Sequence, residues 1–86
     1  MDPAAALDRT DAPADRTLEV LDVRTLPPPQ PLQRTLERLA EVDDDVVVLQ
    51  RNDRVPRHLF PRLDDRGYAH ETVDDEGTVV TAIWRP

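Results

Sequence analysis

The sequence predicts an α/β two-layer sandwich in which a mixed four-stranded sheet carries two helices on one face. Three observations support this fold class: apolar residues switch twice from strand-like to helical spacing, a hairpin pattern follows, and a chain of 86 residues has room for one small domain only. The predicted order is therefore β-α-β-α-β-β, because strand–helix–strand units place successive strands in one sheet with the helices against it.

The first half of the domain predicts a strand, an amphipathic helix and a buried strand. Residues 17–23, TLEVLDV, have the composition and alternation of a short strand. After a run of prolines, apolar residues recur at helical spacing, with Pro31 in the first turn, where helices accept proline. Residues 46–50, VVVLQ, begin with four consecutive apolar residues and do not alternate, as is typical of a central strand. The apolar helix positions are Leu32, Leu36, Leu39, Ala40 and Val42.

The second half predicts one more helix and a hairpin. A helix is expected over about residues 56–66, with Asn52 or Asp53 as its cap and Gly67 as its left-handed stop. Residues 68–86 then form two strands around Asp75-Glu76-Gly77, where glycine supplies the positive φ of the turn.

Residues 1–16 have a different composition from the rest of the chain. They are built mainly from Ala, Asp, Pro, Arg and Thr, with a single leucine and no sustained period. Such a composition does not bury enough apolar surface to offset the entropy of ordering. We therefore expect an acidic, disordered N-terminal tail, followed by a single domain over residues 17–86.

The charged residues are unusual in kind and balance. All eleven basic residues are arginines, aspartate outnumbers glutamate thirteen to five, and the formal net charge is −7. This acidity argues against nucleic acid as a partner, because binding the phosphate backbone needs a basic stripe. A hydrated, aspartate-rich surface also suggests a halophilic source, since salt at 1 M shortens the Debye length to roughly 3 Å and removes self-repulsion.

The absence of cysteine excludes disulfides, thiolate metal sites and cysteine nucleophiles. The longest apolar run, residues 46–49, is far too short to span a membrane, and the N-terminus lacks the regions of a signal peptide. We expect a cytoplasmic protein without a membrane partner.

The end of the first predicted strand carries the clearest candidate binding residues. Residues 27–29 and Pro31 hold φ at about −65° and lack N–H donors, so they form either a stiff connection or an extended surface for an aromatic-lined partner groove. Asp22 and Arg24 lie where α/β folds often bind ligands. Alternatively, Asp22 accepts hydrogen bonds from its own turn and Arg24 pairs with surface acids.

Catalytic and metal sites have little support in the sequence. His58 and His70 are the only imidazoles, and they do not form a metal-binding spacing with the aspartate pairs. His70 is expected to pack half-buried on a strand. No nucleophile triad, phosphate-binding glycine loop or paired-carboxylate cleft is present, so we expect neither an enzyme nor a cofactor.

The segment LDVRTLPPPQPLQRTLERL resembles the opening of the TusA-like (SirA-like) sulfur-carrier family, in which a strand leads into Cys-Pro-x-Pro at the start of the first helix. Pro28 stands where that family has its cysteine, and Thr25 stands where glycine is usual. The chain looks closest to an uncharacterised, cysteine-less branch with the motif LDVRxLPPPxPL. The matching residues are Leu21, Asp22, Arg24, Leu26, Pro29, Pro31 and Leu32, with weaker similarity at Leu49, Asn52, Asp53, Pro56 and 66-RGY-68.

The resemblance implies a sulfur-carrier-like fold without the carrier's chemistry, because proline at position 28 cannot hold a persulfide. We therefore expect a non-catalytic module that binds a protein partner or a small ligand. The expected binding residues are Asp22, Arg24, Pro28, Pro29, Pro31, Asn52, Asp53 and His58.

Two alternative functions remain open at this stage. One is an accessory role in sulfur transfer or redox metabolism, in which the cysteine of a partner enzyme does the chemistry. The other is a structural or regulatory dimer built on the open sheet face. The protein is otherwise expected to be a monomer or a weak homodimer. The outward residues would then be either Val79, Thr81 and Ile83 or Val80, Ala82 and Trp84.

Overall fold

The computed structural model describes residues 3–86, which form three helices and four strands. The elements are α1 Pro3–Leu7, β1 Thr17–Asp22, α2 Gln30–Glu41, β2 Val46–Asn52, α3 Leu59–Asp65, β3 Ala69–Asp75 and β4 Thr78–Trp84. From β1 onward the order is the predicted β-α-β-α-β-β.

The four strands form one mixed sheet in the order β1-β2-β4-β3. β1 and β2 are parallel, whereas β4 is antiparallel to both β2 and β3. Parallel strands need a crossover connection, and α2 supplies it between β1 and β2. The predicted fold class, an α/β fold with a mixed four-stranded sheet, is confirmed.

Helices α2 and α3 cover one face of this sheet. Leu39 of α2 and Leu59 and Leu63 of α3 are buried against Val48 of β2 and Ile83 of β4. Burying each large aliphatic side chain is worth about 1.5–3 kcal/mol, so this cluster supplies much of the stability of the helix layer.

The opposite face is covered by the N-terminal segment, where the structure differs from the predicted disordered tail. The segment contacts the sheet through three buried residues, and residues 1 and 2 lie outside the described part of the chain. Ala6, Leu7 and Ala12 are buried, and small alanine side chains let the segment lie close to the strands. The sheet residues in the same cluster are Val47, Leu49, Val80 and Ala82.

α3 is shorter than predicted and starts later. It begins at Leu59 after an N-cap His58 that makes no side-chain capping bond, so the expected cap at Asn52 or Asp53 is wrong. Pro61 falls in the first turn, where a missing N–H is tolerated, and this explains how the helix accepts it. Gly67, with φ of +77°, follows the helix as predicted.

The hairpin between β3 and β4 turns at Glu76 and Gly77. Both residues have positive φ, +50° and +90° respectively. The two-residue hairpin turn that matches the twist of the strands requires positive φ at both central residues. Because Glu76 has a side chain, its backbone is held in a sparsely populated conformation.

Leu7→Ala tests the packing of the N-terminal segment. Because Leu7 is only 7% exposed, the truncation should lower the free energy of unfolding by about 2 kcal/mol, as measured by urea denaturation. Asp8→Ala, at an exposed neighbour in the sequence, should change it by less than about 0.5 kcal/mol. Equal stabilities for the two variants would show that the segment does not pack in solution.

Candidate functional site

The loops that follow β1 and β2 lie at one end of the sheet. Asp22, the last residue of β1, is opposite Arg51 of β2, so residues 22–31 and 51–58 leave the sheet side by side. Each loop leads into a helix, α2 and α3 respectively. We call these two ranges together the carboxyl-end surface, a location where open α/β sheets commonly bind ligands.

The first loop is a compact turn made largely of proline. The Leu26 N–H donates to the Val23 carbonyl at 3.1 Å, and the Gln30 N–H donates to the Pro27 carbonyl at 2.9 Å. Val23 is buried, whereas residues 27–29 are all exposed, and the peptide bond between Pro28 and Pro29 is cis. The buried Val23 thus anchors a rigid turn that presents its prolines to solvent.

Asp22 and Arg24 form a two-pronged ion pair at the start of this turn. Arg24 Nη2 lies 2.7 Å from Asp22 Oδ2, and Arg24 Nε lies 2.9 Å from Oδ1. The Arg24 backbone N–H also donates to Oδ1, and Arg51 Nη1 lies 3.9 Å from Oδ2. These contacts, with the Arg24 side chain first, hold the pKa of Asp22 below its usual value and raise the pKa of Arg24. This geometry corresponds to the alternative interpretation of the sequence, in which Asp22 accepts hydrogen bonds from its own turn.

The buried side chain of Asn52 holds the backbone of the second loop. It is only 4% exposed, and its Oδ1 accepts from the backbone N–H groups of Asp53 and Arg54 at 2.8 and 3.4 Å. Its Nδ2 donates to Gln50 Oε1 at 3.4 Å. Asn52, expected as a binding residue, is therefore engaged in holding the loop and is not open to a partner.

A buried polar contact connects the two halves of this end. Gln50 Nε2 donates to Thr35 Oγ1 at 2.8 Å, and the Thr35 hydroxyl donates to the Pro31 carbonyl at 2.8 Å. Both side chains are fully buried, between β2 and the first turns of α2. Because buried polar groups must be paired, this contact fixes the position of the first turns of α2 relative to β2.

The remaining predicted site residues lie around these two loops. Asp53 is exposed, and its Oδ1 lies 3.5 Å from Arg54 Nε. His58 is exposed at the start of α3, and Pro31 is half-buried in the first turn of α2. His70 lies elsewhere, stacked on Phe60 with ring centroids 4.9 Å apart. Within residues 3–86, no group of three or more His, Asp or Glu side chains is placed to hold a metal ion.

Sequence reasoning missed the arginines of the second loop. Arg51, Arg54 and Arg57 join Arg24, while Asp22 and Asp53 are the only acids, so the carboxyl-end surface has four positive and two negative side chains, a net +2 in a chain of −7. Val55, 43% exposed, adds an apolar residue to the same loop. The run RNDRVPR was visible, but only the β1–β2 register shows that it adjoins the proline turn.

Comparison with known proteins gives a family and a fold. Residues 20–85 match the family described as "Uncharacterized conserved protein (DUF2249)". The crystal structure of a SirA-like protein from Desulfitobacterium hafniense aligns with a TM-score of 0.66 and 24% identity, covering 81% of this chain and 100% of that one. No curated protein matches. The structural alignment shows that the chain has a SirA-like fold, and no helix within residues 3–86 has the length and apolarity that crossing a membrane requires.

Thr35→Val tests the buried polar contact. The substitution keeps the side-chain shape but leaves Gln50 Nε2 without an acceptor, which should lower the free energy of unfolding by about 1–3 kcal/mol in urea denaturation. The matched change Thr25→Val, at an exposed position of the proline turn, should have an effect below about 0.5 kcal/mol. A neutral Thr35→Val would mean that α2 is not held through this hydroxyl.

Arg24→Gln tests the ion pair through its effect on the pKa of Asp22 and on the stability of the protein at acidic pH. A lowered pKa at Asp22 gives stability that is present above the usual value of 3.8 and is lost as the pH falls through the folded-state pKa. Removing Arg24 should raise the pKa of Asp22 towards 3.8 and remove this contribution. Carbon-detected NMR titration of the Asp22 carboxyl measures the shift. Arg54→Gln is the control, because Arg54 pairs with Asp53, and an unchanged Asp22 titration in Arg24→Gln would contradict the assignment.

Proposed function

The chain belongs to the family described as "Uncharacterized conserved protein (DUF2249)", and we propose that it is a non-catalytic protein-binding module that docks an acidic partner segment on its carboxyl-end surface. The proposal rests on the charge, exposure and rigidity of this surface.

The observation that carries the proposal is the concentration of arginines at one end of an acidic protein. Four arginines and two aspartates occupy residues 22–31 and 51–58, while the whole chain has a formal charge of −7. The Arg54 side chain is 73% exposed and Arg57 is exposed. Guanidinium groups match carboxylates in a planar, bidentate geometry, so glutamate and aspartate side chains of a partner are the fitting ligands. The acidic remainder of the surface repels such a segment and thereby directs it to this end.

The exposed prolines add apolar contact at little entropic cost. Residues 27–29 already have a fixed backbone, and Val55 lies on the neighbouring loop. A preformed proline surface loses little conformational freedom when an aromatic side chain packs on it. An acidic partner segment that also carries aromatic residues therefore fits this end best.

The SirA-like fold gives no persulfide carrier in this chain, because the sequence contains no cysteine and thiolate is the nucleophile of that chemistry. An accessory role in sulfur or redox metabolism is compatible with the proposal only if the docked partner supplies the thiol. The docking surface would then set the position of the partner, and the chain itself would form no covalent intermediate.

Site-specific photocross-linking tests the proposal directly. A benzophenone side chain at Thr25 or Val55 should cross-link a partner from an extract of the source cells, since both positions are exposed on the carboxyl-end surface. The same probe at Glu76, in the β3–β4 turn, should give no such product. Trypsin digestion and mass spectrometry of the product then identify the partner segment and its content of acidic and aromatic residues.

A charge-reversal pair provides the matched control. Arg54→Glu with Arg57→Glu should reduce the cross-linked yield roughly tenfold, because the variant places carboxylates against an acidic segment. Arg9→Glu with Arg62→Glu makes the same change in net charge at exposed positions elsewhere and should leave the yield unchanged. Equal losses in both pairs, or a product from Glu76 alone, would contradict docking at this end.

A further inference from the structure

Strand β1 is an edge of the sheet with unused hydrogen-bonding groups. The Val23 N–H donates to the Arg51 carbonyl at 2.9 Å, which fixes the odd-numbered residues of β1 as those that bond β2. The backbone groups of Leu18, Val20 and Asp22 therefore point away from the sheet. Within residues 3–86 they have no protein hydrogen-bond partner. Val20, 40% exposed, lies in the middle of this edge.

A stripe of charges on α2 runs beside the same edge. Arg34, Glu37, Arg38 and Glu41 follow helical spacing and line an open groove of about 340 Å³ together with residues 19–21. Arg38 is bonded to Glu19 and Glu41, whereas Arg34 and Glu37 make no ion pair within the described residues. Read along the helix, the charges alternate as positive, negative, positive, negative.

We propose that this edge binds a second copy of the chain, with β1 pairing antiparallel to β1 of the partner subunit about a two-fold axis perpendicular to the sheet. Such an interface requires a surface that is complementary to itself. With Val20 opposite Val20 of the partner subunit, Leu18 falls opposite Asp22 of the partner subunit. All of these are residues whose backbone groups point outward, so each pair can exchange both N–H···O bonds.

The α2 stripe fits this arrangement because its charges, read in the opposite direction, run negative, positive, negative, positive. Two antiparallel copies therefore place opposite charges against each other. The two-fold axis sets the two α2 helices antiparallel on the same sheet face. Arg34 then faces Glu41 of the partner subunit, and Glu37 faces Arg38 of the partner subunit. The two exposed Val20 side chains cover one another on the other face. A partner strand of arbitrary sequence would meet this alternating stripe with like charges at some positions, and the second copy does not.

The dimer would be a continuous eight-stranded sheet, two copies of the four-stranded one. Because the β1 strands run in opposite directions, the two carboxyl-end surfaces lie at opposite ends of the assembly. The inference does not depend on the proposed docking function, since it uses none of the arginines of the carboxyl-end surface.

Sedimentation equilibrium of charge-reversed variants tests the arrangement. At about 0.15 M salt, where the Debye length is roughly 8 Å, the long-range repulsion between chains of net charge −7 is reduced while contacts between neighbouring side chains persist, and the unchanged protein should dimerise. Arg34→Glu alone and Glu41→Arg alone should each weaken dimerisation at least about tenfold, because each creates two like-charge contacts per dimer. An equimolar mixture of the two variants should form a heterodimer of about the original affinity, since its stripes are again complementary.

Two measurements separate this interface from other forms of dimer. Arg62→Glu, an exposed position on α3, makes the same charge change as Arg34→Glu and should leave the dissociation constant unchanged. Amide hydrogen exchange at Val20 should slow with protein concentration, whereas exchange at Leu21 should be slow throughout. A monomer at millimolar concentration, a mixture that fails to recover affinity, or a dimer with concentration-independent exchange at Val20 would overturn the proposal.

Discussion

Parallel pairing of β1 with β2 determines where the important surfaces lie. A short hairpin cannot connect two parallel strands, so the chain crosses over through α2. The loops that follow β1 and β2 therefore lie at the same end of the sheet. The register of Asp22 opposite Arg51 sets the proline turn beside the arginine-rich loop. The contact from Gln50 through Thr35 to the Pro31 carbonyl then fixes the beginning of α2 on β2. The same pairing leaves the other side of β1 unpaired.

The distribution of charge follows this architecture. Acids dominate the β3–β4 turn and the aspartate run before β2, while four of the eleven arginines lie where β1 and β2 end. A rigid proline turn next to guanidinium groups suits recognition, because the backbone of the turn needs no rearrangement on binding. The chain contains no cysteine, so under the proposed function the carboxyl-end surface acts through shape and charge.

The elements with a local signal could be predicted from the sequence, and the features set by distant contacts could not. Periodicity located β1, α2 and β2, and the glycine at position 77 located the hairpin. The N-terminal segment has no period of its own, and Leu7 is buried only because the sheet offers Val47 and Leu49. Asn52 was expected to bind a partner, but β2 continues three residues beyond its apolar run of residues 46–49, and the Asn52 side chain is buried. The arginine cluster emerges only from the register of two strands that are far apart in sequence.

Recognition of acidic segments by the carboxyl-end surface can be measured most directly by NMR. A peptide of alternating glutamate and tryptophan, titrated into the labelled protein, should shift the amide signals of residues 24–26, Gln30 and the non-proline residues of 51–58. Rising salt should weaken the effect because the contacts are ionic. A peptide in which lysine replaces glutamate should leave these signals in place. Shifts spread over the whole chain, or equal responses to the two peptides, would contradict the claim.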